Sequence, residues 1–268
     1  MGSTVPGAQE MAGRISAVRD AFGRSATDWA GNTGDDDRDR RSQPRDGLLK
    51  EGASMHPEWM HRWLNVTVAV GGLIVMAPAL CVIAFLIKVT SPGPVFYSQT
   101  RVGLDRRALR ANRQQTRREE DLGGRVFTIW KFRSMRVDAE VPGQAVWASE
   151  RDPRVTGIGA FIRKTRLDEV PQLWNVIRGE MNVVGPRPER PSIFLSLRTQ
   201  VDQYNLRQRV KPGITGWAQI NLAYDSTVED VKAKVAHDLE YIAGRSIWFD
   251  IRIMAATIPV MIGRRGSR

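Results

Sequence analysis

From Val66 to Ile87 the chain runs for 22 residues without a charge, its one long stretch of that kind. Any fold it adopts must bury that stretch or give it to lipid. As a straight helix it measures roughly 33 Å, just enough to cross a bilayer. Trp59 and Trp63 precede it and Lys88 follows. Pro78 sits near its middle, after Gly71 and Gly72; a proline there removes one helix hydrogen bond and clashes with the preceding turn, so a kink is expected. Two topologies compete: a kinked span, and a helix–break–helix that enters and leaves the same leaflet. Hydropathy alone favours the span. Charge counting favours the second, because Lys50 and Arg62 lie before the stretch and Lys88 and Arg101 after it. Basic flanks stay cytoplasmic, which places both ends on one side.

The net charge of +11 calls for an anionic partner: nucleic acid, a phospholipid surface or a phosphorylated substrate. Cys81 is the only cysteine, which excludes an internal disulfide, and His56, His61 and His237 lack the spacing of a structural zinc site. Residues 1–55 are polar, with the run DDDRDRR at Asp35 to Arg41, and are expected to be disordered apart from one marginal helix near Met11 to Phe22. No secretion signal is legible at the N-terminus, so the remainder is expected in the cytoplasm. Residues 105–125 hold seven arginines and few apolar residues, and read as a solvated loop or short helix.

The densest chemistry lies in RKTRLDEVPQLWNVIRGEMNVVGPRP, from Arg163 to Pro188. Val170, Leu173, Trp174 and Ile177 recur with helical spacing and Gly179 marks a stop. Pro171 is tolerable only in a first turn, so the helix begins close to Asp168 and Glu169. Its dipole is then expected to favour both ionised carboxylates. Acids also simply cap helices at such places. Adjacent carboxylates have alpha carbons about 3.8 Å apart and diverging side chains, a poor arrangement for standing on opposite faces of a sugar ring. They suit a hard cation beside phosphate, and an aspartate attacks phosphorus once charge repulsion is removed.

Around this stretch, VFTIWKFRSM (Val126 to Met135) alternates as a strand ending at Lys131 and Arg133, which become candidate phosphate contacts beside Arg163 and Arg187. A shorter strand is expected at Val95 to Tyr97. A helix over Gly159 to Arg166 would turn Phe161, Ile162 and Thr165 inward. Thr227-x-x-Asp230 is a capping box for an amphipathic scaffold helix through Val228, Val231, Val235, Leu239 and Ile242, on which His237 and Asp238 read as solvated. Ile247 to Ile262 is apolar but too short and too proline-bent to span, and reads as an interfacial helix before a basic tail.

The segment LDEVPQLWNVIRGEMNVVGPRP, with KFRSM, Lys211-Pro212-Gly213 and Thr215-Gly216-Trp217-Ala218-Gln219, resembles the monotopic phosphoglycosyl transferases, a family of bacterial sugar transferases, from about Arg62 to Ile262. The resemblance implies an α+β, predominantly helical, membrane-associated fold. Its parts would be a disordered segment (1–55), a re-entrant helix (56–90) broken at Pro78, a catalytic domain (91–262) with 105–125 as an insertion, and a basic tail (263–268). It implies that Asp168 attacks the sugar-bearing phosphate of a UDP-sugar, releasing UMP, and that membrane polyprenyl phosphate then takes the phospho-sugar. Asp168 and Glu169 would hold Mg2+, while Lys131, Arg133, Arg163, Arg187 and Lys211 would contact substrate. The expected location is the cytoplasmic face of the bacterial inner membrane, among membrane lipids, without nucleic acid and with downstream glycosyltransferases left open as partners. Departures from the family pattern are Asn65 for an aspartate, Ala77 for a serine, Arg166 for a small polar residue, and Leu222-Ala223 for Gly-Arg. A membrane-tethered nucleic-acid binder and an inactive scaffold are the competing classes.

Overall fold

The computed structural model describes residues 56–105, 123–139, 152–222 and 227–262. The expectations for residues 1–55, for most of the 105–125 insertion and for the basic tail fall outside them. The described chain is α+β and mostly helical, with two small sheets. Helix α1 spans Glu58–Thr90. An antiparallel hairpin follows, β1 (Phe96–Val102) with β2 (Val126–Phe132), paired from Phe96↔Phe132 to Val102↔Val126. Helix α2 (Gly157–Lys164) leads through a 3-10 turn (Leu167–Gln172) into the short α3 (Leu173–Ile177). Strand β3 (Asn182–Val184) lies parallel to β4 (Gly213–Thr215), with α4 (Pro191–Gln200) and a second 3-10 turn (Tyr204–Arg209) between them. Helices α5 (Trp217–Asn221), α6 (Val228–Ala243) and α7 (Ile247–Ile262) complete it.

Among the described residues, α1 is the one helix long and apolar enough, by length and composition, to cross a membrane. Where the sequence suggests two helices around a break, the structure has one helical element with Pro78 inside it. One stripe of α1 is covered along its length: His61, Asn65 and Ala69 near the start, Ile83 and Ile87 near the end. The opposite faces show Trp59, Trp63, Ile74, Val75, Val82 and Phe85. Both ends are tied to the same body. At the start, His61 Nδ1 bonds Asp250 Oδ2 of α7 at 2.9 Å, Arg62 donates to the Val176 and Ile177 carbonyls that end α3, and Asn65 accepts from the Val183 amide of β3. At the end, Ile83 and Ile87 pack on Phe132 and Ile162. Asn65 thus uses both ends of its amide, its Nδ2 donating to the His61 carbonyl at 2.6 Å.

Local patterns explain most elements. Period-two alternation on β2 puts Phe127 and Ile129 inward, and Lys131 on that same face. Thr156 caps α2, accepting from the Gly159 amide at 3.0 Å; Ile162 is buried, but Phe161 faces outward, against expectation. Gly179 ends α3 at φ +77, a left-handed stop that side chains disfavour. The capping box at Thr227 forms as read, with Val231, Val235, Leu239 and Ile242 buried below it.

Asp238 departs from the sequence reading: it is buried, not solvated. Its Oδ2 accepts from Arg207 Nε at 2.7 Å, and Arg207 Nη1 donates to the Tyr204 hydroxyl at 2.9 Å, all inside the core of α4, α6 and α7. A buried ion left without its partner costs about 3–5 kcal/mol. Arg207→Ala is therefore expected to destabilise the fold by that order, measured as a lowered thermal midpoint in detergent. Lys232→Ala, which breaks only the exposed pair with Glu229, should leave the midpoint unmoved.

Candidate active site

The Asp168–Glu169 pair stands in the 3-10 turn between α2 and α3, with Pro171 two residues on. Both side chains are buried, yet they are treated oppositely by their surroundings. Lys131, pointing inward from β2, places Nζ 2.7 Å from Glu169 Oε1. Arg187 places Nη2 2.7 Å from the same oxygen, while its Nη1 lies 3.4 Å from Oε2. Arg166 Nη1 is 3.9 Å from Oε2. Asp168 makes no hydrogen bond or ion pair among the described residues.

The titration of the pair follows. Burial works to raise the Glu169 pKa, but the charges and hydrogen bonds of Arg187 and Lys131 overcome it and hold the group well below the usual carboxylate range. At Asp168 burial prevails: it pushes the carboxyl up to about 6, with Lys131 opposing and the neighbouring Glu169 charge adding to the rise. Arg187 and Arg163 also pull it down, so both lie within electrostatic reach. The expectation that a helix dipole favours both ionised forms thus fails for Asp168. A six-residue 3-10 turn supplies little aligned dipole, and desolvation outweighs it. Burial also lowers the pKa of Lys131, opposed by Glu169.

Arg187 is presented by a braced loop. β3 and β4 approach so closely that a Cβ on Gly213 would sit 2.1 Å from the Gly185 amide nitrogen, and one on Gly216 2.4 Å from the Gly185 carbonyl oxygen. Only glycine permits this packing, and it fixes where the Pro186-Arg187-Pro188 segment leaves the sheet. Beyond it, Arg207 Nη2 donates to the Arg187 carbonyl at 3.0 Å and Arg101 Nη1 to the Pro188 carbonyl at 2.9 Å. Glu189 is held below its ordinary range; burial opposes this, and Lys234 and Arg207 prevail.

Five of the predicted residues therefore come together directly or through charge: Lys131, Arg163 and Arg187 around Asp168 and Glu169. Arg133 does not join them by any hydrogen bond. Its guanidinium is buried and donates to the carbonyls of Ser91 at 2.7 Å and Pro92 at 2.8 Å, bracing the turn after α1. Lys211 directly precedes Pro212 and β4, half-buried, with its carbonyl 2.5 Å from where a Gly185 Cβ would stand. Pro78 lies on an exposed part of α1. The sequence reading missed Arg166 and Asn175. Arg166 adopts a left-handed backbone, φ 54, and joins the Glu169 cluster. Asn175 is fully buried, donating Nδ2 to the Thr128 carbonyl and Glu180 Oε2, both at 2.7 Å, and so pins α3 against β2. Its signal, a polar residue inside an apolar helical pattern, was present in the sequence.

Among the described residues no group of three or more His, Cys, Asp or Glu is gathered for a metal. A magnesium ion needs fewer, since one or two carboxylates and substrate phosphate suffice. The donor set fits that mode: Glu169 Oε1 is committed to two short bonds, whereas Oε2 has only the longer contacts and Asp168 has none.

The sequence model of the family described as bacterial sugar transferase matches residues 56–264. The chain is 43% identical over 188 residues to the UDP-glucose:undecaprenyl-phosphate glucose-1-phosphate transferase of Escherichia coli (strain K12), covering 69% of this chain and 36% of that protein. It is 37% identical over 210 residues to the UDP-N-acetylgalactosamine-undecaprenyl-phosphate N-acetylgalactosaminephosphotransferase of Aeromonas hydrophila, covering 78% and 45%. With the exopolysaccharide production protein PSS of Rhizobium leguminosarum bv. phaseoli it shares 37% identity over 205 residues, 74% of this chain and 93% of that protein. The chain thus spans less than half the length of the first two.

A raised carboxyl pKa is a stability statement with a definite sign. Between the unfolded value of 3.8 and the folded value of about 6 the folded state binds more protons at Asp168, so its contribution to stability declines as pH rises through that window. Asp168→Asn removes the penalty. It is expected to raise the thermal midpoint at pH 7.5, by a gain of about 1–3 kcal/mol, and to lose that advantage at pH 4. Unfolding curves of both proteins at the two pH values check this.

Proposed function

The chain belongs to the bacterial sugar transferase family, of the phosphoglycosyl transferase kind, and from that premise we propose that it moves a sugar 1-phosphate from a UDP-sugar to membrane polyprenyl phosphate. The observation that carries this reading is the asymmetry of the acid pair. Glu169 is paired with Lys131 and Arg187, which leaves Asp168 desolvated, unpaired among the described residues, and with a pKa of about 6. Above neutral pH such a group is ionised but poorly solvated, which favours attack on phosphorus.

In the first step an Asp168 oxygen attacks the sugar-bearing phosphorus of the donor. The new bond is a phosphorus–oxygen bond to the aspartate; the one that breaks joins that phosphorus to the bridging oxygen, which leaves with UMP. Arg187, Arg163 and Lys131 draw charge from the diphosphate and the departing UMP. In the second step a polyprenyl phosphate oxygen attacks the same phosphorus, giving a lipid diphosphate-linked sugar and returning the carboxylate. Asp168 and Glu169 Oε2 would hold magnesium, which when bound neutralises phosphate charge. Glu169 also keeps Lys131 and Arg187 in place.

The location we assign is the cytoplasmic face of the inner membrane, and what the fold contributes is support for attachment from one side. A spanning α1 would carry one end about 30 Å away across the hydrocarbon, whereas both of its ends are bonded to the body that holds the acids. A re-entrant course through one leaflet satisfies both constraints. Trp174 beside the acids, Phe161 on α2, and Trp248 and Ile258 on α7 are exposed, and suit burial at the headgroup boundary. The product would begin a lipid-linked glycan or exopolysaccharide.

Two tests follow. Full-length protein with UDP-glucose or UDP-N-acetylgalactosamine and undecaprenyl phosphate should release UMP, and Asp168→Asn should abolish both turnover and the labelled adduct formed when lipid is omitted. Substantial activity in that variant would falsify the nucleophile. The kcat/KM for the UDP-sugar should also fall roughly tenfold per pH unit well below about 6, as Asp168 of the free protein takes up its proton. Arg187→Ala should raise the KM for the nucleotide sugar at least tenfold while the protein still sediments with membranes.

A further inference from the structure

Beside the acid pair lies a pocket of about 140 Å³ to which the two steps above assign no role. Val170, Leu173, Ile214 and Ile220 form its walls, with Arg166 and Glu169 at one end. It offers little to a sugar or a nucleobase. The Thr215 and Thr257 hydroxyls lie 2.7 Å apart, and Thr257 also donates to the Ile253 carbonyl at 2.7 Å. Gln219 donates its Nε2 to the Ile214 carbonyl at 3.2 Å, and its Oε1 is buried with no hydrogen-bond partner among the described residues. A polyhydroxyl ligand would leave most of its own polar groups unpaired against these carbon walls, a cost of about 1–3 kcal/mol for each.

Part of the lining also borders the apolar helix α1. Leu173 touches α1, where a Cβ on Gly72 would lie 3.2 Å from its Cδ1. Its neighbour Trp174 and Ile258, next to the lining Thr257, are both exposed. At the polar end, Arg166 holds a left-handed backbone, φ 54. A non-glycine residue in that region costs about 1–2 kcal/mol, and such strain persists where the surroundings impose it, often at ligand sites. A carbon-walled recess whose lining residue Leu173 lies against α1, with a guanidinium and the acid Glu169 also in its lining, matches a ligand with a hydrocarbon body and an anionic head.

We propose that this pocket is the acceptor subsite, in which Val170, Leu173, Ile214 and Ile220 take the head-proximal isoprenoid of a polyprenyl phosphate and Arg166 takes its phosphate. The inference rests on the phosphoglycosyl transfer reading and adds to it where the lipid sits. Held there, the acceptor phosphate reaches the Asp168 adduct from the pocket side. Its oxygen forms the new phosphorus–oxygen bond as the aspartyl–phosphorus bond breaks and its electron pair returns to the carboxylate. No proton is left over when the acceptor enters as the dianion.

The two half-reactions separate the possibilities. Full-length protein in detergent is mixed with UDP-glucose or UDP-N-acetylgalactosamine alone, and the burst of UMP reports the first half-reaction. Titration with undecaprenyl phosphate then reports the second. Ile220→Phe fills the recess, and Arg166→Gly removes the guanidinium while relieving the left-handed strain, so the second variant does not threaten the fold. Ile220→Phe is expected to raise the KM for undecaprenyl phosphate at least tenfold and to retain the UMP burst, and Arg166→Gly to raise the KM for undecaprenyl phosphate at least tenfold, by a larger factor than the KM for the UDP-sugar. A raised KM for the UDP-sugar with the lipid KM unmoved would assign the pocket to the donor and overturn the proposal. So would an unaltered lipid KM in Arg166→Gly. Absence of a burst in the unsubstituted protein would remove the underlying transfer reading instead.

Discussion

The salt bridge of Glu169 with Lys131 and Arg187 is the interaction on which the rest of the site depends. Two adjacent buried carboxylates cannot both be ionised at low cost, and two buried cations without an anion are equally unfavourable. Giving both cations to Glu169 resolves the problem for three of the four charges. It leaves Asp168 as the group whose protonation is set by burial. Two acids that the sequence reading expects to be ionised alike become a pair that titrates in opposite directions, Glu169 held down by its cations and Asp168 raised by burial.

That division is made by long-range contacts. Lys131 comes from a hairpin strand and reaches Glu169 because period-two alternation turns it inward with Phe127 and Ile129. Arg187 comes from a loop leaving β3, fixed by glycine contacts beneath it and by Arg207 and Arg101 behind it. Arg207 is in turn neutralised by Asp238 on α6. The chain of support runs from a buried ion pair in the scaffold to the guanidinium that faces the acids.

What the sequence made legible were features carried by neighbours along the chain. The capping box at Thr227, the stop at Gly179 and the strand presenting Lys131 all have local causes, and the structure has them; the helix expected to begin close to Asp168 and Glu169 is instead a 3-10 turn that passes into α3 at Leu173. The misses have distant causes. Asp238 was read as solvated because its partner lies 31 residues away. For Arg133, which the sequence reading groups with the phosphate contacts, nothing nearby in the chain shows the bonds that its two amino groups make to the Ser91 and Pro92 carbonyls. Phe161 fits an inward helical face, yet points out, since amphipathic spacing cannot tell a protein core from a lipid-facing surface. The left-handed Arg166 had no local signal at all.

The hairpin carries one more consequence. Its ladder does not stop at Val102↔Val126: the Gly103 amide donates to the Arg125 carbonyl at 2.9 Å and the Arg125 amide to the Leu104 carbonyl at 3.1 Å, while the Asp105 amide donates to Gln208 at 2.8 Å. The two ends of the arginine-rich stretch are thus clasped together by the framework itself, whatever lies between them. Closing a loop on such a clasp costs only about 0.6 kcal/mol more for each doubling of its length. That position is accordingly a natural graft point, where a tag, a reporter or a further module can be spliced in without disturbing the register that aims Lys131 at Glu169.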